Sequence, residues 1–97
     1  MAETEDTAGT ETAGETRRKR VLFRSHHTGM KENDLLFGAF ADRHLAALTD
    51  DEVAWFEWLL MTHDDIDLNA WITGRRDYPR ELDHPVMHRL LSFQFKP

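Results

Sequence analysis

Cysteine is absent from the 97-residue chain. That removes disulfides, thiolate nucleophiles and cysteine-held zinc or iron–sulfur centres. No apolar run approaches the roughly 20 residues that a membrane helix needs. Only three prolines occur, and no long apolar/polar alternation marks a strand. The first sixteen residues, MAETEDTAGTETAGET, hold five acids, no base, no aromatic and, after Met1, no apolar side chain larger than alanine. Such a segment cannot bury enough apolar surface to offset chain entropy, so residues 1–17 are expected to form a disordered acidic tail. With no apolar h-region and no excess of arginine at the start, neither a secretory signal nor a mitochondrial leader is expected. The default expectation is a cytoplasmic location.

Charge is uneven. The tail contributes −5, Arg17 to Arg20 ("RRKR") +4, and the rest −5, for a net −6. A mildly acidic body argues against a broad nucleic-acid face. The tetrad is read as neutralising the tail or fraying at a helix start.

What is present is helical. A first helix is expected from about Arg17 to His27, and Gly29 suits its C-terminal end, where positive φ is free of steric cost only for glycine. A second is expected over Lys31 to His44, with Leu35, Leu36, Ala39 and Phe40 at helical spacing and Glu32 and Asp34 in the first turn. Thr49 and Glu52 spell a capping box, and Leu48 can staple onto Val53. Between Val53 and Met61 only Glu57 is charged, which marks a central helix. A short fourth helix is capped by Asp65 or Asp67 and stopped by Gly74. A fifth carries Leu82, Val86, Met87, Leu90 and Leu91, and begins at Pro79 or at Pro85 with Asp83 near the cap. The expectation is all-α: a compact five-helix bundle over residues 18–93, with 94–97 frayed.

Chemistry-bearing constellations are sparse. His84 and His88 have the spacing of a metal pair, but Pro85 separates them and no third ligand is evident. His26 and His27 diverge by about 100° on a helix. His44 and His63 sit at helix C-termini, where the dipole favours imidazolium. Asp50, Asp51, Asp64, Asp65 and Asp67 all fall at helix starts, where capping accounts for them. Phosphate-loop and dinucleotide motifs are missing. Trp55, Trp58 and Trp71 are expected in the core, an exposed one being an interface anchor instead. These features describe a binding module rather than an enzyme. A generic helical interaction or regulatory protein is the alternative.

Two blocks carry a family resemblance. RSHHTGMKENDLL, followed by FADRHLAALTDDEVAWFEWLLMTHDDIDLNAWITG, resembles the small succinate dehydrogenase assembly factors, the flavinylation factor family, over roughly residues 20–92. The first block is an Arg-Gly-x-x-Glu signature followed by x-Asp. The second runs Leu48 to Glu52 and then Asp64, Asp65, Asp67, Leu68 and Trp71. The resemblance implies a five-helix bundle that binds the flavoprotein subunit of succinate dehydrogenase, or of the related fumarate reductase, and promotes covalent attachment of FAD to a histidine of that subunit. It implies no catalytic residue, no tightly bound cofactor, no metal, no nucleic-acid or membrane partner, and a monomer when free. Gly29, Glu32 and Asp34 match the signature, which in the family lies on the surface that engages the client. Thr28 stands where the family usually has arginine, and His27 or Lys31 is a candidate for the compensating charge. A plainer reading of the same residues also stands: Gly29 ends one helix and Glu32 caps the next.

Overall fold

A computed structural model describes residues 12–93. Five α-helices, α1 (Ala13–His26), α2 (Lys31–His44), α3 (Asp50–Thr62), α4 (Asp65–Ile72) and α5 (Pro85–Ser92), make up the described fold together with 3-10 turns at Leu45–Ala47 and Arg80–Leu82. Residues 1–11 of the expected tail and 94–97 of the expected frayed end lie outside the described residues. Thr12 to Arg17 depart from the tail expectation. Thr12 Oγ1 accepts the Glu15 N–H at 3.0 Å and Glu15 Oε1 accepts the Thr12 N–H at 2.8 Å. This capping box starts α1 at Ala13, inside the low-complexity stretch.

The second helix has the expected bounds, and Thr49 and Glu52 close the expected box on α3. Leu48 and Val53 flank that box, both buried. Asp64, rather than Asp65 or Asp67, caps α4 by accepting the Asp67 N–H at 2.8 Å. Pro85, rather than Pro79, opens the last helix, where its missing N–H costs nothing. Its cap is His84, whose Nδ1 accepts the Val86 N–H at 3.1 Å. The His84 ring lies flat on Trp55, 4.1 Å between centroids. Burial there pushes its pKa down, which favours the neutral ring that the cap requires.

The core is built from Val21 of α1, Phe37, Phe40 and Ala41 of α2, Val53, Phe56 and Leu59 of α3, Leu68 and Trp71 of α4, and Val86, Met87 and Leu90 of α5. Phe56 sits 6.1 Å from Phe37 and edge-on to Phe40 at 5.5 Å. The central position of α3 follows: it packs on α1 at one side and α5 at the other, while α2 bridges α1 and α4. Trp58 departs from the expected aromatic core, being 43% exposed near the end of α3. An all-round apolar helix gives no sign in its own sequence of which side its neighbours leave open.

The basic tetrad also departs from its expected role. Both oxygens of Glu57, buried in mid-α3, accept from Arg20, Nη2 at 3.0 Å, and Arg17 Nε stands 3.5 Å away. Hydrogen bonds from Arg20 hold the Glu57 carboxyl below its ordinary range against the opposing effect of burial. Arg18 donates to the carbonyls of Leu45 (2.8 Å) and Leu48 (2.7 Å) and pairs with Asp50 at 2.9 Å. Three of these four cations therefore fasten α1 to α3 and to the turn before it.

Candidate functional site

The junction between α1 and α2 is short, and each backbone N–H from His27 to Met30 has a partner. Past His26 the chain leaves the helix with the His27 N–H on Arg24 O at 3.1 Å. The exposed His27 ring stacks on Phe23 at 4.2 Å. Met30 supplies no side-chain cap to α2. A pair instead closes the turn ahead of the helix: Asp34 Oδ1 accepts both the N–H and the hydroxyl of Thr28, each at 2.6 Å. Thr28 Oγ1 in turn accepts the Met30 N–H at 3.2 Å. Thr28 and Asp34 are half-buried and brace the turn from within, whereas Gly29, Lys31 and Glu32 are exposed.

Gly29 is not glycine for the reason expected. Among the described residues Gly74 is the glycine with positive φ, at 77° just beyond the end of α4. At Gly29 the requirement is close approach. Its N–H donates to Asp65 Oδ2 at 2.8 Å, and a Cβ would meet that same oxygen at 2.5 Å. Asp65, at the first position of α4, thus ties the start of that helix to the α1–α2 junction.

Behind this contact runs a buried polar row. Asn33, fully buried, donates from Nδ2 to Asp65 O at 3.0 Å and Oδ1 at 3.3 Å. Asn69, 6% exposed, donates from Nδ2 to Asn33 Oδ1 at 3.0 Å. Arg75 donates to Asn69 Oδ1 and, from Nε, to Thr73 Oγ1 at 3.2 Å. Asn33, Asn69 and Arg75 were not legible as site residues. The available signal was Asn33 itself: it precedes Phe37, Phe40 and Ala41 by four, seven and eight residues, so a polar side chain occupies the apolar stripe of α2.

Above the row lies an open groove of about 570 Å³ between α2 and α4. Glu32 and Arg75 line it, with Leu35, Leu36 and Ile66 as its apolar surface. Leu35 is 47% and Ile66 68% exposed. The structure therefore joins Gly29 and Glu32, at the exposed junction, to an apolar strip that the sequence did not assign to them. Such a strip rimmed by charge is the anatomy of a protein-docking surface.

Three histidines are used elsewhere. His88 pairs with Asp83, which also accepts the Tyr78 hydroxyl at 3.1 Å, and the His88 contact is the main cause holding the Asp83 carboxyl below its usual range. His84 is taken up as a cap. His63 Nδ1 lies 3.1 Å from Leu59 O, near the end of α3. Among the described residues no cluster of three His, Asp or Glu side chains has the arrangement of a metal site, and no helix is long and apolar enough to cross a membrane.

The described residues form a small helical bundle with an exposed, internally braced junction beside a partly apolar groove. Residues 19–94 match the family model described as flavinator of succinate dehydrogenase. The chain is 37% identical over 83 residues to succinate dehydrogenase assembly factor 2-A, mitochondrial, of Drosophila yakuba, covering 84% of this chain and 51% of that protein. It is 35% identical over 77 residues to the mitochondrial assembly factor 2-B of Drosophila mojavensis, covering 78% and 49%. The chain belongs to the flavinator of succinate dehydrogenase family, and it spans about half the length of the curated relatives it matches. The cytoplasmic expectation is corrected by these relatives, which are named as mitochondrial proteins.

Proposed function

We propose that this chain is an assembly factor that docks on the flavoprotein subunit of succinate dehydrogenase, or of a related fumarate reductase, and promotes covalent attachment of FAD to it. The observation that carries the reading is the match to the flavinator family over residues 19–94, with Gly29 and Glu32 exposed beside the α2–α4 groove. Gly29, Glu32 and Lys31 offer the exposed polar contacts, and Leu35 and Ile66 the apolar ones. His27, stacked on Phe23, is the neighbouring cationic candidate, and Thr28 and Asp34 shape the turn.

The chemistry proposed for this chain is positional. The polar floor of the groove is paired within the chain, which supports leaving the flavin on the client. Ordering a reactive group against its target can lower a barrier by several kcal/mol without any donated acid or base. The bound factor would hold the client's flavin site in the arrangement in which the client's own histidine reacts.

The test uses purified apo-flavoprotein subunit and FAD, with and without this chain, and reads covalent flavin by fluorescence in a denaturing gel. A faster rise with the chain is expected. A rise equal to the control overturns the proposal.

A further inference from the structure

The buried row between the groove and the junction has a direction. Arg75 at one end can only donate hydrogen bonds, and the Asp65 carboxylate at the other can only accept them. Each asparagine between them must then turn its carbonyl toward Arg75 and its amide toward Asp65, as observed: Arg75 to Asn69 Oδ1, Asn69 Nδ2 to Asn33 Oδ1 at 3.0 Å, Asn33 Nδ2 to Asp65 at 3.0 and 3.3 Å. Asp65 spends its remaining oxygen on the Gly29 N–H at 2.8 Å. Turning either amide over would set like atoms against each other at a buried site, where an unmet donor or acceptor is costly.

We infer that Asn33 and Asn69 are positioning residues for docking: relayed from Arg75, their fixed amide orientation holds Asp65 where it sets the Gly29 turn. The inference rests on the docking surface proposed above. Asn33 is fully buried beneath that surface, and Asn69, 6% exposed at the floor of the groove, has its amide taken up by Arg75 and Asn33.

The decisive variant is Asn69→Asp. It keeps an oxygen facing Arg75 and replaces the one donor to Asn33 by a second oxygen. Freed of its donor, Asn33 loses its reason to present Nδ2 to Asp65. In a 15N-labelled chain the Gly29 amide proton is expected to move upfield as its carboxylate acceptor withdraws, with the Phe56 and Leu59 amides in place. An unmoved Gly29 signal, or one that moves only with the whole spectrum, overturns the inference. Should Asn69→Asp fail to fold, Arg75→Ala at an exposed position gives the same reading from the other end. Client binding supplies the second arm. Asn69→Asp is expected to weaken the Kd for apo-flavoprotein subunit about tenfold, the scale of one lost buried hydrogen bond. A core variant of matched Tm, Leu90→Ala, is expected to leave it within about twofold. Equal weakening by both contradicts a positioning role. A wild-type chain that does not bind the subunit counts against the proposed function, and the Gly29 signal then decides the positioning claim alone.

Discussion

Asp65 Oδ2 accepts the Gly29 N–H at 2.8 Å and occupies the space that any side chain on residue 29 would need, 2.5 Å from a Cβ there. One oxygen thus explains both the hydrogen bond and the glycine. It also joins the first block of the family resemblance to the second, since Gly29 lies in one and Asp65 in the other.

Gly29→Ala follows from this contact. Residue 29 has no positive φ, so alanine gains about 0.4–1 kcal/mol from a less flexible unfolded chain. Against that, Asp65 must move, giving up its bonds to Gly29 and Asn33 at a cost of about 1–3 kcal/mol. The second effect is expected to win, lowering Tm by several degrees. Thermal unfolding followed by circular dichroism measures it, and an unchanged or raised Tm would show that Asp65 relaxes without loss.

Glu32→Ala separates docking from folding. Glu32 is exposed in the first turn of α2, where an acid contributes about 0.3–1 kcal/mol through the helix dipole. Helicity is expected to stay intact and Tm to fall by a few degrees at most. The stimulation of covalent flavin attachment is expected to drop several-fold. Wild-type stimulation by the mutant would remove Glu32 from the docking surface.

Glu57→Gln tests the clamp between α1 and α3. In the folded chain Arg20 holds the Glu57 carboxyl below 4.5, its ordinary value. A depressed folded-state pKa gives stability that is complete above the unfolded value and disappears as pH falls through the folded one. The mutant is expected to melt a few degrees below wild type at pH 7. That gap should narrow once pH falls below about 4.5. Thermal unfolding at pH 7, 4.5 and 3 checks this, and a gap independent of pH would mean that Glu57 acts through packing.

Much of the fold was legible because its signals are local. The bounds of α2 follow from one apolar stripe, and Thr49 and Glu52 announce α3 within four residues. The box of Thr12 and Glu15 carries the same signal, but its acidic, alanine-sized surroundings hid it. What escaped was long-range. Arg20 finds Glu57 across 37 positions and Gly29 finds Asp65 across 36, and no periodicity connects such residues. Asp64, Asp65 and Asp67 all read as caps until packing left Asp64 to cap α4 and turned Asp65 toward Gly29. Trp58 was placed inside because an apolar helix records its own hydrophobicity and not the position of its neighbours.

The most direct measurement is hydrogen exchange of this chain, free and bound to the apo-flavoprotein subunit of succinate dehydrogenase. Docking through the junction and groove is expected to slow exchange in residues 28–36 and 65–75 and to leave the exposed end of α3 around Trp58 and Met61 unchanged. Protection confined to Trp58 and Met61, with residues 28–36 exchanging as in the free chain, would contradict the account.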